Sequence, residues 1–438
     1  MMTSFVADRH NRRTSCWHAY FVSPQRLQEL REGRGGALLE RFSQVLKECG
    51  YAEITARRHI RAAEHLLYWA EVKRLPYDTS NEAILRRFDE HLVRCRCPGY
   101  GHTHRLDLLN GGRLFLEHLQ RIGVTNASTV EPATQLPALF TSFCDWMRAQ
   151  RGTADITLYN YGLTIRALLA TLGEDPGKFD AQSVRQFVLS QTRDRGWAVA
   201  KRCTTALHMF FRFLIAEGKC DSRLAAAIPV VAHWRLSALP RYLQPEEVER
   251  VIASCSPTSP SGKRDRAILL LLARLGLRAG DIVELRVDDI DWKGAWISVC
   301  GKGRRLTKLP LTQEVGRAIV DYLKEGRPPA ETDILFLRSR APLRAFASHA
   351  AISVIVEQAM RRAGVTCPSR GAAHVLRHSV ATSMLRHGAS LQDIAAVLRH
   401  RSIETTQIYA KVDIAMLQEI AQPWPEVQPC YLKPWSHI

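Results

Sequence analysis

A chain of 438 residues with 61 Lys plus Arg against 43 Asp plus Glu carries a formal net charge of +18, and 46% of its residues are apolar. That length holds roughly two to four domains, and the balance of apolar and charged residues is globular rather than disordered or fibrous. The positive excess favours a polyanionic partner, most simply nucleic acid. No apolar run reaches the roughly 18 residues needed to span a bilayer, and the opening MMTSFVADRHNRRTSCWHAY has no apolar stretch of signal-peptide length. The 11 cysteines are odd in number and scattered, which suits free thiols in a reducing compartment. The expectation is a cytoplasmic protein with no membrane partner.

Residues 1–35 are basic and broken by Gly33, Gly35 and Gly36, which predicts an irregular leader. From 38 to 71 apolar residues recur at helical spacing (Leu38, Leu39, Phe42, Val45, Leu46, then Ile60, Ala63, Leu66, Leu67), predicting two helices. A third follows Asn81 as cap and runs through Leu92, and a fourth covers about 106–119, ending near Gly123. The next stretch repeats the plan. Ile54-Thr55 before a helix matches Ile156-Thr157 before another, 83–92 matches 181–189, and 115–123 matches 210–218. Two helical units in tandem are expected, over 36–130 and 131–222. Cys95-x-Cys97 with His102-x-His104 has zinc-competent residue types, but C-x-C spacing is less usual than C-x-x-C, so a surface loop with free thiols and no metal is expected.

Over 223–240 the apolar period is lost and Pro229 and Pro240 appear, the mark of a linker. Pro245 then suits the first residue of a helix, with Glu246 and Glu247 in its first turn. An apolar helix over 266–277 ends at Gly276. Alternation around the turn Gly301-Lys302-Gly303 predicts a hairpin of 296–299 and 306–311, and helices resume over 313–324 and 350–363. Arg338, Arg340 and Arg344 suit a solvated or phosphate-contacting loop, and Trp424 and Trp435 are candidate anchors in the tail, 416–438.

Chemistry concentrates at 374–409. His374 and Arg377 stand three apart in a segment whose apolar residues (Val375, Val380, Met384, Leu385) have helical spacing, so both project from one face. A second helical run, 391–398, carries His400 just past its end, and Tyr409 follows the polar run Glu404, Thr405, Thr406, Gln407. A phenolate can form a covalent phosphoryl intermediate, and guanidinium forks clamp the negative charge that then develops.

H-x-L-R-H at 374–378, Leu398-Arg399-His400 and T-T-x-x-Y at 405–409, with Gly276-Leu277-Arg278-Ala279-Gly280-Asp281 upstream, resemble the tyrosine recombinase (phage integrase) family. One position departs: the family usually has glycine where this chain has Arg399, and a glycine eases a tight helix end. The resemblance implies a mostly α fold with a small antiparallel β-sheet in the catalytic domain. Tandem helical DNA-binding units would precede a catalytic domain at 241–415: an arm or core-binding-like unit at 36–130 and a core-binding domain at 131–222.

The resemblance also implies the roles. Arg278 and Arg377 are the two catalytic arginines, Lys302 is the general acid with Arg304 and Lys308 as rivals on its hairpin, and His374 and His400 assist proton transfer. Tyr409 is the nucleophile that forms a 3′-phosphotyrosine, Asp281 orients Arg278, and His378 is structural. No cofactor or metal is implied. The implied activity is site-specific recombination of double-stranded DNA in integration, excision or transposition of a mobile element. It would be carried out by a homo-tetramer on paired sites, with a partner recombinase as an option. The alternatives are a catalytically silent DNA-binding accessory protein and a topoisomerase of the related type IB-like kind.

Overall fold

The structure, a computed structural model, describes residues 16–33, 35–75, 81–100, 104–125, 136–193, 195–231, 239–301, 305–367, 371–400, 402–412 and 417–418. The chain divides into two compact units, one of residues 1–57 with 238–438, the other of residues 58–237. The first 57 residues therefore group with the C-terminal part and not with the helical unit that follows them, a different division from the one expected at 35 and 130.

Within the described part of the expected leader the chain is helical. Helix α1 (Pro24–Glu32) starts where Ser23 Oγ accepts the Arg26 N–H at 3.4 Å and Pro24 fixes the first turn, and it buries Leu27 and Leu30. Trp17 and Tyr20, around the 3-10 turn Cys16–Ala19, are also buried. The Ser-Pro start and the apolar pair three apart were the available signal, obscured by the glycines that follow. Helix α2 is Gly36–Glu48. Just after it, Leu343 N–H donates to the Cys49 carbonyl at 3.0 Å, and Gly50 sits at φ +74, where an added Cβ would come within 2.3 Å of the Leu343 side chain.

Helix α3 (Glu53–Val72) crosses the division at residue 57 and is followed by α4 (Asn81–Leu92), α5 (Arg105–Arg121), α6 (Ala138–Arg151), α7 (Asp155–Leu172), α8 (Ala181–Thr192), α9 (Trp197–Ala216) and α10 (Arg223–Ala226). The run α2 to α5 has 13, 20, 12 and 17 residues and the run α6 to α9 has 14, 18, 12 and 20, so the repeated plan extends to helix length. Helices α6 to α10 enclose an aromatic core in which the Phe143 ring meets Phe210 edge-on at 5.6 Å. Each such phenylalanine contributes about 2–3 kcal/mol by burial. Helix α10 falls inside the expected linker, because Leu224 and Ile228 join that core.

The C-terminal part runs α11 (Pro245–Ala253), α12 (Pro260–Arg274), α13 (Ala279–Glu284), β1 (Ile290–Asp291), β2 (Trp296–Gly301), β3 (Arg305–Pro310), α14 (Gln313–Glu325), α15 (Ala350–Arg362), α16 (Ala372–Arg386) and α17 (Leu391–Val397). The 3-10 turns Ile403–Thr405 and Gln407–Val412 follow. Residues Ala267 to Leu272 of α12 are all buried, and a helix apolar on every side must be internal. The sheet is antiparallel in the order β1-β2-β3, with Ile297 opposite Leu309 on its buried face. The fold is mostly helical with one small antiparallel sheet. No helix among the described residues is long and apolar enough to cross a membrane.

Candidate active site

Three helix ends and one helix face build the site. After α12 the chain turns at Gly276, at φ +58, where an added Cβ would approach Leu398 Cδ2 to 2.7 Å, so the position demands glycine on two counts. That turn delivers Arg278 to the start of α13. Helix α16 carries Arg377 and His378, and the end of α17 carries Leu398, Arg399 and His400.

The Arg377 side chain is buried, with one Nη donating to the Gly276 carbonyl and the other to that of Leu398. Arg278 Nη2 donates to the Arg399 carbonyl at 3.0 Å and to the same Leu398 carbonyl at 3.4 Å. Two guanidinium forks from distant parts of the chain thus meet on one main-chain oxygen.

Tyr409 is only 1% exposed and packs with Ala381, Leu385, Ile394 and Leu398. Its hydroxyl lies 2.8 Å from His378 Nδ1, a hydrogen bond. His400 Nδ1 is bonded to Thr406 Oγ1 at 2.7 Å, and Thr406 is itself fully buried. His374 is exposed, with its ring 6.5 Å from that of His378.

Charge crowding tunes these groups. Burial, with Arg278 and Arg399 alongside, pushes Arg377 down to about 9. Burial pushes the Tyr409 phenol up to about 12, although Arg377 pulls the other way, so the phenol is protonated at neutral pH and could attack an electrophile only with the help of a base. Burial lowers His378 and His400 to about 4, helped by neighbouring positive groups. A neutral His378 with Nδ1 bare is placed to accept the phenolic proton.

These two lowered imidazoles contribute to the pH dependence of stability, alongside others such as His65 and His374. Each has a folded pKa below its ordinary 6.5, so the unfolded chain takes up protons that the fold refuses. Their stabilisation is complete above pH 6.5 and is lost as pH falls towards about 4. The unfolding free energy from urea titrations at pH 7, 6 and 5 should fall by an amount on the order of a few kcal/mol across that window. A His378→Gln/His400→Asn double variant should give a shallower slope, and an unchanged slope would refute this origin.

Arg399 adds a third guanidinium. It sits at φ +54, a left-handed backbone unusual for a residue with a side chain, and its Nη2 donates to Asp281 Oδ2 at 2.5 Å with both side chains more than nine-tenths buried. Asp281 also accepts the Arg278 backbone N–H at 3.0 Å. Asp281 therefore fixes the main chain at Arg278, while its side-chain partner is Arg399 rather than the expected Arg278 guanidinium. Arg399→Gly would relieve about 1 kcal/mol of backbone strain, but stranding a buried carboxylate costs about 3–5 kcal/mol. The variant should lose about 2–4 kcal/mol in urea unfolding, and Asp281→Asn added to it should recover most of that. A gain in stability for the single variant would contradict the argument.

Of the residues singled out in the sequence, the structure brings together Arg278, Arg377, His400 and Tyr409, with His374 at the edge. Lys302 and Arg304 lie outside the described residues, as do His102, Trp424 and Trp435. Lys308, opposite Ser298 on the hairpin, is exposed. His378, expected to be structural, is the residue in contact with the phenol. Its place one turn from His374 on the same helical face was the available signal. Arg399 was visible only as a departure from a motif.

Two guanidinium forks, a phenol and two imidazoles are thus gathered in one place, within the stretch for which the comparisons with known proteins find a family. Residues 241–416 match the phage integrase family. The chain is 35% identical over 415 residues to y4rA of Sinorhizobium fredii (strain NBRC 101917 / NGR234), provisionally named an integrase/recombinase, covering 93% of this chain and 98% of that one. It is 30% identical over 280 residues to tyrosine recombinase XerD of Lacticaseibacillus casei, covering 62% and 92%. A crystal structure of the XerH site-specific recombinase bound to palindromic difH substrate, a post-cleavage complex, is similar in fold. It has a TM-score of 0.51 at 20% identity over 64% of this chain and 83% of that one. The chain belongs to the phage integrase family: it is a tyrosine recombinase, an enzyme that breaks and rejoins DNA.

Proposed function

We propose that this recombinase cuts double-stranded DNA at specific sites through a covalent Tyr409 intermediate and rejoins the ends to a new partner strand. The observation that carries this reading is the convergence of Arg278 and Arg377 on one carbonyl oxygen, beside a phenol held by an imidazole. Two such forks side by side suit the two non-bridging oxygens of a scissile phosphate, and their charge would stabilise the phosphorane.

In the forward step Tyr409 Oη forms a bond to phosphorus, its proton passing to His378, and the bond to the 5′ oxygen breaks. That oxygen takes a proton from Lys302, the candidate general acid, with His374 and His400 hydrogen-bonding the phosphate. Reversal of the same step by another 5′ hydroxyl rejoins DNA. The phosphotyrosine conserves the ester, so neither cofactor nor metal is required for the chemistry.

Residues 58–237, with exposed Arg185, Arg193, Lys201 and Arg202, suit a surface laid along a phosphate backbone. The XerH relative was captured on its DNA after cleavage, which supports the same partner here. By family analogy the working form is a homo-tetramer on paired sites in the cytoplasm, with or without a second recombinase, serving integration, excision or transposition of a mobile element.

A duplex nicked next to the cleavage site loses its short 5′ fragment and cannot be resealed. The full chain incubated with such duplexes, drawn from the flanks of its own gene, should yield a denaturant-resistant protein–DNA adduct. Protease mapping should put the nucleotide on the peptide containing Tyr409. DNA retained without any adduct would instead favour the accessory-protein reading.

A further inference from the structure

Two cysteines and two histidines outside the active site converge in the helical unit. His65 projects from α3, His91 from the last turn of α4, and Cys95 and Cys97 from the turn that follows α4. Their ligand atoms all lie within 4.8 Å of one another. Cys95 Sγ is 3.4 Å from His65 Nε2, and Cys97 Sγ is 3.4 Å from His91 Nε2. We propose that these four side chains form a structural zinc site that ties α3 to the connection between α4 and α5.

The geometry fits the metal. Zn–S bonds of about 2.3 Å and Zn–N bonds of about 2.0–2.1 Å at tetrahedral angles put sulfur and nitrogen about 3.5 Å apart. Both measured pairs agree with that edge. Two thiol–imidazole hydrogen bonds could each have this length, but they would not require the two pairs to close on one another.

The surroundings also suit a ligand set. The Cys97 backbone N–H donates to Cys95 Sγ at 3.5 Å, which would support a thiolate. His65 is 0% exposed, and its ring is fixed by stacking on Tyr100 at 4.6 Å and by Phe88 edge-on at 5.1 Å. His91 stacks against Trp69 at 5.6 Å. The rings are thus oriented by packing before any ion arrives, while His91, Cys95 and Cys97 remain partly exposed as an entry path. The sequence reading missed this set by pairing the cysteines with His102 and His104. His104 is exposed at the start of α5, outside the cluster, and His102 lies outside the described residues.

The untagged full chain, purified without chelator from zinc-supplemented cells, should contain about one zinc per chain. Cys97→Ser and His91→Asn should each lower that to about a tenth. Stripping the metal should lower Tm by about 10 °C, reversibly on adding Zn²⁺. Should the variants fail to fold, stripped wild type titrated with Co²⁺ decides: tetrahedral d–d bands with a thiolate charge-transfer band support the site. No zinc in wild type together with no Co²⁺ spectrum overturns it, as does one zinc retained by both variants.

Discussion

Tyr409→Phe is expected to lower covalent adduct formation by more than about 10⁴-fold while leaving affinity for duplex DNA within about twofold. The substitution removes the oxygen proposed to attack the phosphate and nothing else of size. The ring is 1% exposed among Ala381, Leu385, Ile394 and Leu398, apolar neighbours that hold a phenylalanine equally well. The one loss is the hydrogen bond to His378 Nδ1, whose removal costs about 1 kcal/mol. The variant should therefore fold, and gel-shift and suicide-substrate assays on the same preparation separate binding from chemistry. Adduct formation at wild-type rate would mean that another residue attacks the phosphate.

Arg377→Lys should lower cleavage by on the order of 10³-fold, again with DNA retained. Arg377 sends its two Nη groups to separate carbonyls, Gly276 and Leu398, and an ammonium has no fork with which to span them. A second effect compounds the first. The surroundings already push the arginine down to about 9, and the same surroundings would push down a lysine, whose ordinary value is lower, so that it loses charge more readily as pH rises. Arginine is the residue that keeps its charge in so crowded a place. The cleavage rate of the lysine variant should consequently fall further between pH 7 and pH 8.5, and a flat profile at wild-type rate would rule the argument out. DNA affinity should hold because Arg377 is buried, while the chain carries many other basic residues that are exposed.

What the sequence made legible was whatever is local. His374, Arg377 and Tyr409 stand out because helical spacing and short motifs are written within about ten residues, and the helices Asn81–Leu92, Arg105–Arg121, Gln313–Glu325 and Ala350–Arg362 were read to within a turn for the same reason, whereas α12 begins about six residues before the expected start. The two-residue strand β1 has no period to detect, yet it completes the sheet by pairing Ile290 with Ile297. The Arg399–Asp281 pair joins residues far apart in the chain and leaves no local trace, and His65 stands a whole helix away from the cysteines it faces. The misread leader is a different failure. Its helix had a Ser-Pro start and an apolar pair, but the glycines and basic charge around it outweighed those cues.

The Leu398 carbonyl has one more consequence. Its one oxygen takes donors from both arginines, so the end of α17 is tied at a single atom to the start of α13 and to α16. That oxygen sits eleven positions before the phenol, on the same C-terminal stretch. A change that displaces this single carbonyl would therefore loosen both arginines at once, and with them the end of the stretch that leads to the phenol.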